Sequence, residues 1–232
     1  MTALKVLRLG GRGWDCNQFL IKDPASNAYD MVDAGHGLDF ANVLQEIAAI
    51  TDPHRIKSVV VTHAHLDHVN GLPHYRELGA RVGASRRCAE KLAAGRDPTS
   101  ERFGARIVQV QPDDLLGEGD TIDLGGAPFV VLETPGHEPG AACYWNEASG
   151  TLFSGDTLFA DGGIGRFDFP DGDLRVMDEQ IRRLGRLPVR VLHPGHGPSP
   201  EGDAAARSVA ASVTHVRMCV DERERSSTRS SR

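Results

Sequence analysis

The chain has 232 residues, enough for one large domain or two small ones and for a sizeable core. With 40% hydrophobic and 25% charged residues its composition is that of an ordinary globular protein, and a net charge of −6 leaves no electrostatic footprint for nucleic acid. No apolar run approaches the ~20 residues of a membrane-spanning helix, and the N-terminal residues carry no leader-like apolar stretch. The cysteines, Cys16, Cys88, Cys143 and Cys219, form no C-x-x-C pair, so neither a disulfide framework nor a thiolate zinc site is suggested. A reduced, cytoplasmic setting with no nucleic-acid or membrane partner is expected.

Taken in order, 4–9, 17–21 and 28–32 read as short strands with turn-like breaks at Gly10-Gly11, Arg12-Gly13 and Asp23-Pro24. The stretch 39–50 is helical, with Phe40, Val43, Leu44, Ile47 and Ile50 on one face. A buried-type strand at 57–61 follows, then a helix at 71–78, a strand at 81–84 and a helix at 89–94. Strands are expected at 106–110, 121–124 and 129–132, the last two joined as a hairpin through Gly125-Gly126. Further strands at 141–145 and 151–154, a helix at 173–184, a strand at 189–192 and a helix at about 201–220 complete a mixed α/β chain. No linker divides 1–220, so one domain is expected, with a polar, Arg- and Ser-rich tail at 221–232 that frays.

Directly after the strand at 57–61 comes Thr62-His63-Ala64-His65-Leu66-Asp67-His68. His63 and His65 lie two apart, on one side of extended chain, and Asp67 and His68 follow in what reads as loop. Imidazole and carboxylate are ligands for zinc, manganese and iron, so the stretch holds two half-built metal sites. Three later segments repeat one layout of apolar strand, tight turn and ligand-type residue: His137 in Thr134-Pro135-Gly136-His137, Asp156 in Ser154-Gly155-Asp156, and His196 in His193-Pro194-Gly195-His196. His54, His74 and His215 have no such company.

The HAHLDH stretch resembles the HxHxDH motif of the metallo-β-lactamase fold superfamily, and the later segments match its ordered motif set. The resemblance implies a four-layer αββα sandwich. By position, it implies that His63, His65 and His137 hold one metal, that Asp67, His68 and His196 hold a second, and that Asp156 bridges both. Asp33 resembles the early Asp that orients a ligand from behind. Two such divalent ions, zinc first and iron(II) or manganese(II) as alternatives, share a hydroxide that attacks a carbonyl or phosphoryl centre. Asp67 would be a ligand that also steers protons.

Gly155-Asp156-Thr157-Leu158-Phe159, continuing into Gly163-Ile164-Gly165-Arg166-Phe167-Asp168-Phe169, looks like the glyoxalase II branch, the hydroxyacylglutathione hydrolases, which are thioesterases. Arg166 and Asp168 stand where that family has the Lys and Tyr that hold glutathione, and the stretch after His196 is not expected to form the family's long C-terminal helical domain, which leaves the thiol carrier open. Arg166, Asp168 and His36 are candidate substrate contacts. The alternatives are a mononuclear iron persulfide dioxygenase on His63, His137 and Asp156, a lactonase, and a non-catalytic metal-bound scaffold. Oligomeric state has no signature in the sequence.

Overall fold

The structure, a computed structural model, describes residues 4–230. One sheet runs in the order β1 (Lys5–Gly10), β2 (Asn17–Lys22), β3 (Tyr29–Val32), β4 (Ile56–Val60), β5 (Arg81–Ser85) and β6 (Asp114–Leu116). Its first three strands pair antiparallel and β3 to β6 pair parallel. The second sheet holds β7 (Thr121–Leu124), β8 (Ala127–Glu133), β9 (Ala142–Asn146), β10 (Thr151–Gly155) and β11 (Val191–Pro194), adjacent in that order. It is antiparallel except for the β10–β11 pair. Gly125 and Gly126, with φ of 64° and 76°, form the tight turn between β7 and β8. Positive φ at both positions is what such a two-residue hairpin requires.

The helices are α1 (Phe40–Ala48), α2 (Leu66–Val69), α3 (Leu72–Glu77), α4 (Arg86–Ala94), α5 (Pro98–Arg102), α6 (Leu174–Leu184) and α7 (Asp203–Ser230). Side-chain alternation sorts the strands into layers. In the first sheet Leu20, Met31, Val59 and Val82 point outward, against Val43 and Ile47 of α1, Tyr75 of α3 and Leu92 of α4. Their neighbours Phe19, Val32 and Val60 point inward, to meet Phe129, Val131, Tyr144 and Phe153 of the second sheet. On that sheet's far side Cys143, Trp145, Leu152 and Leu192 bury against Leu184 of α6 and Ala205 and Val209 of α7. The result is the expected four layers, helix, sheet, sheet, helix. The inner layer is held by Phe19, Phe129 and Phe153, with ring centroids 5.3 and 5.5 Å apart, and burial of each side chain contributes roughly 1.5–3 kcal/mol.

The structure departs from the sequence expectations in four places. Residues 106–110 are not a strand: Asn70 clamps them from the side, its Oδ1 accepting from Val108 N and its Nδ2 donating to Arg106 O. Ile107 and Val110 are still buried, which explains the strand-like pattern. The pairing with β5 falls instead to the three residues of β6. Helix α5 is unexpected too; it is capped by Asp97, which accepts from Ser100 N. Asp67 and His68 lie on the single turn of α2 rather than in loop. Finally, α7 continues through the segment expected to fray as far as Ser230, because Glu and Arg extend a helix that is already nucleated and Arg175 of α6 donates to Glu224.

Candidate metal centre

The ligand-type residues gather at one end of the two sheets, where strands end in turns. After β4 the chain delivers His63 and His65, and α2 begins at once, turning Asp67 and His68 toward the same point. The opposite sheet supplies His137 after β8, Asp156 after β10 and His196 after β11. Cross-sheet hydrogen bonds fix the halves together beside the site. Ala142 N donates to Thr62 O (2.8 Å), and Tyr144 Oη donates to Val61 O (2.7 Å). Asn17 N donates to Gly195 O (2.7 Å), and the Asn17 amide bonds the carbonyls of Pro194 and Gly197, holding the His196 turn (2.9 Å each). Gly195 is a glycine for reasons of space: a Cβ there would stand 2.2 Å from Asp156 Oδ1 and 2.7 Å from His68 Cε1.

His63 Nε2 lies 3.1 Å from His65 Nδ1, and His137 Nε2 lies 2.9 Å from the same atom. Nitrogens bound to one tetrahedral ion at 2.0–2.1 Å sit about 3.3 Å apart, so this convergence fits a shared cation. His137 Nδ1 meets Arg166 O at 2.6 Å. A carbonyl only accepts, so Nδ1 carries the proton and the Nε2 lone pair faces the site. Burial, aided by the neighbouring imidazoles, holds His63 well below the usual histidine range, and burial brings His65 down to about 3. Both are therefore neutral donors at ordinary pH.

The second set is His68, Asp67 and His196. Asp67 Oδ2 lies 3.1 Å from His196 Nε2 and 3.7 Å from His68 Nε2. Asp156 stands between the sets, with Oδ1 3.4 Å from His68 Nε2 and Oδ2 3.5 Å from His196 Nε2 and 3.7 Å from His137 Nε2. Burial opposes the Asp156 charge, but His68 above all, with His196 and His137, holds its carboxyl well below the usual range. His68 Nε2 and Asp156 Oδ1 are buried with no hydrogen-bond partner. Such atoms are costly unless something satisfies them, and a divalent cation between these residues would satisfy both. The residues present fit the group.

Behind this set, Asp33 Oδ2 accepts from His68 Nδ1 (2.9 Å), while its Oδ1 accepts from Thr62 N (2.7 Å). That bond keeps a proton on Nδ1 and aims Nε2 inward, as in carboxylate–histidine–metal triads. Burial opposes the ring's charge, but the carboxylates of Asp33, Asp156 and Asp67 hold it well above the usual histidine range, so a bound cation would take the place of the Nε2 proton. Cys16 clusters with Asp33 and His68; burial pushes its thiol up to about 12, so it is a neutral neighbour.

A cavity of about 620 Å³ opens onto His65, Asp67, His137 and Asp156. Of the three candidate substrate contacts, Arg166 lines it. Asp168 lies outside the lining, in an exposed two-pronged pair with Arg166 (2.9 and 2.6 Å). His36 is also outside, tilted at 41° against Trp14 with ring centroids 4.4 Å apart and with Nδ1 accepting from Leu38 N. Trp14, Thr99, Ser100 and Phe103 line the cavity and had no local signature: each comes from a turn or short helix that only tertiary packing brings here.

The sequence profile of the Metallo-beta-lactamase superfamily matches residues 11–196. An uncharacterized protein of Aquifex aeolicus is 32% identical over 193 residues, 82% of this chain and 86% of that protein. A protein of Ectopseudomonas mendocina named hydroxyacylglutathione hydrolase is 33% identical over 171 residues, 73% of this chain and 56% of that one, so the match spans little more than half of it. Among solved structures, TTHA1623 in a di-iron-bound form superposes with a TM-score of 0.68 at 27% identity, over 88% of this chain and 98% of that one. On the fold, the matched motifs and these relatives, the chain belongs to the metallo-beta-lactamase superfamily.

Proposed function

We propose that the chain is a thioester hydrolase of the glyoxalase II-like type, working with two divalent metal ions on a small-molecule thioester. The observation that carries this reading is the pair of adjoining donor sets with Asp156 between them. The Ectopseudomonas relative's name supports the hydrolase class. Imidazole and carboxylate donors without thiolate suit zinc, with iron(II) and manganese(II) as the alternatives; the di-iron form of TTHA1623 is a reason to keep iron among them. When bound, such ions supply a hydroxide nucleophile at neutral pH and polarise the acyl oxygen.

The chain's own residues do the rest. His63 and His65 stay neutral and present lone pairs. Asp33 and the Arg166 carbonyl fix the rings of His68 and His137. Asp67 lines the cleft and contacts His196, a position from which it steers a proton toward the departing sulfur. In the net reaction water's oxygen bonds to the acyl carbon, the C–S bond breaks, and the thiol leaves with a proton. A thiol with pKa near 8.5 needs little acid assistance, so few helpers suffice. His63→Ala is expected to lower kcat by roughly a hundredfold or more with the far-UV circular dichroism of the parent. Undiminished turnover in that variant rules the reading out.

A further inference from the structure

The cleft is built for an apolar guest. Away from the metal-type residues its walls include Trp14, Leu66, Phe103, Phe159, Ile164 and Phe169. Trp14 is 54% exposed and Phe103 64% exposed. Two large aromatic rings left in water at one cavity are the signature of a surface that a ligand covers. Phe103 meets Phe169 edge-on, with centroids 6.1 Å apart at 88°, and Phe169 meets the edge of His65 at 5.6 Å. The aromatic wall thus runs from the rim down to the candidate ligands.

Polar recognition in the cleft is sparse. Arg166 is the one Lys or Arg in the lining. Its guanidinium is paired with Asp168 and lies 4.3 Å over the Phe169 ring, so an anionic carrier with free carboxylates meets an arginine already matched by a carboxylate. The Ser100 hydroxyl is taken by Asp97 (2.8 Å). Thr99, by contrast, is a lining residue whose Oγ1 is buried just behind the wall and has no partner. A buried hydroxyl without a partner is a standing cost that a ligand's polar group can remove.

We infer that the site selects thioesters with an apolar acyl group on an uncharged thiol carrier. The acyl arm lies among Trp14, Phe103 and Phe169, and a rotation of the Thr99 side chain would bring its unpartnered hydroxyl to one polar group of the substrate. The inference rests on the thioesterase reading above and adds the substrate class. The walls are preset for this. Lys91 Nζ bonds Asp97 (3.0 Å), the cap of the helix that carries Thr99 and leads to Phe103. It also bonds Asp171 (2.6 Å), in the segment that carries Phe169.

The test measures kcat/KM of the metal-loaded enzyme for acetyl, hexanoyl and octanoyl thioesters of N-acetylcysteamine and for S-lactoylglutathione. Alongside it, the metal-free protein's tryptophan fluorescence is titrated with the uncleavable thioether S-octyl-N-acetylcysteamine. Roughly tenfold or more gain from acetyl to octanoyl is expected, because each buried methylene adds to binding. Phe103→Ala and Trp14→Ala should each flatten that dependence; both residues are exposed, so the fold tolerates truncation. Flat or falling chain-length dependence, or S-lactoylglutathione turned over best, overturns the inference and leaves the hydrolase standing. No thioester turnover with octyl thioether still quenching fluorescence overturns the hydrolase and leaves an apolar-ligand cleft. Neither turnover nor quenching removes both.

Discussion

Asp33 is asked to do more than any other residue outside the donor sets. Its two oxygens serve Thr62 N, Thr62 Oγ1 and His68 Nδ1. Its backbone sits at φ 62°, a region that Asn tolerates and Ala does not. Asp33→Asn therefore keeps the backbone but leaves one acceptor for two directions. It should weaken the second metal site about 10–100-fold, read by competition with a chromophoric chelator. His193 tests a different force. It is buried between Phe19 and Phe153, with centroids at 4.7 and 4.9 Å, and its Nδ1 has no partner. Burial brings its pKa down to about 4. Between that value and the ordinary 6.5 the unfolded chain binds more protons, so stability falls as pH falls through this window. From pH 7 to pH 5, urea denaturation of the metal-free parent should show a loss about 2 kcal/mol larger than that of His193→Leu; equal losses contradict the assignment. At this scale the ligand-type residues were legible because His137, Asp156 and His196 each follow an apolar strand and a tight turn, and because the other four are crowded into one short stretch after a strand. Trp14, Thr99 and Phe103 were not, since their role exists only where distant segments meet.

Between elements, Lys91 of α4 is the junction. One ammonium meets Asp97, Glu138 and Asp171 at 2.6–3.0 Å. Burial opposes its charge, but Glu138, Asp171 and Asp97 together hold it well above the usual lysine range. These carboxylates belong to the cap of α5, the His137 turn and the 163–173 segment. Lys91→Met keeps the stem length and strands three carboxylates, a change that costs about 3–5 kcal/mol when one partner of a buried pair is removed. The urea midpoint should fall accordingly, and KM for the thioester should rise as the walls loosen. An unchanged midpoint would show the junction to be solvated. The strands of both sheets were legible from their buried runs and hairpin glycines. β6 was not, because three residues carry no period, and residues 106–110 misled because Ile107 and Val110 are buried without being in a sheet. The extension of α7 escaped because its polar sequence carries no period to read.

Across the whole molecule, the site is divided between the sheets. His63, His65, Asp67 and His68 come from one, and His137, Asp156 and His196 from the other. Neither sheet alone assembles a complete donor set, so the inner packing of Phe19, Phe129 and Phe153 is a precondition for chemistry as well as for stability. The ordered motifs made this architecture readable from the sequence: one strand end of the first sheet and three of the second all reach the same edge. The central claim is that seven side chains form two metal positions serving thioester hydrolysis. Its most direct test is elemental mass spectrometry on protein purified without added metal, with hydrolysis of a neutral thioester followed on the same sample. The account predicts two divalent ions per chain with thioester turnover. One iron per chain with no thioester turnover would contradict it.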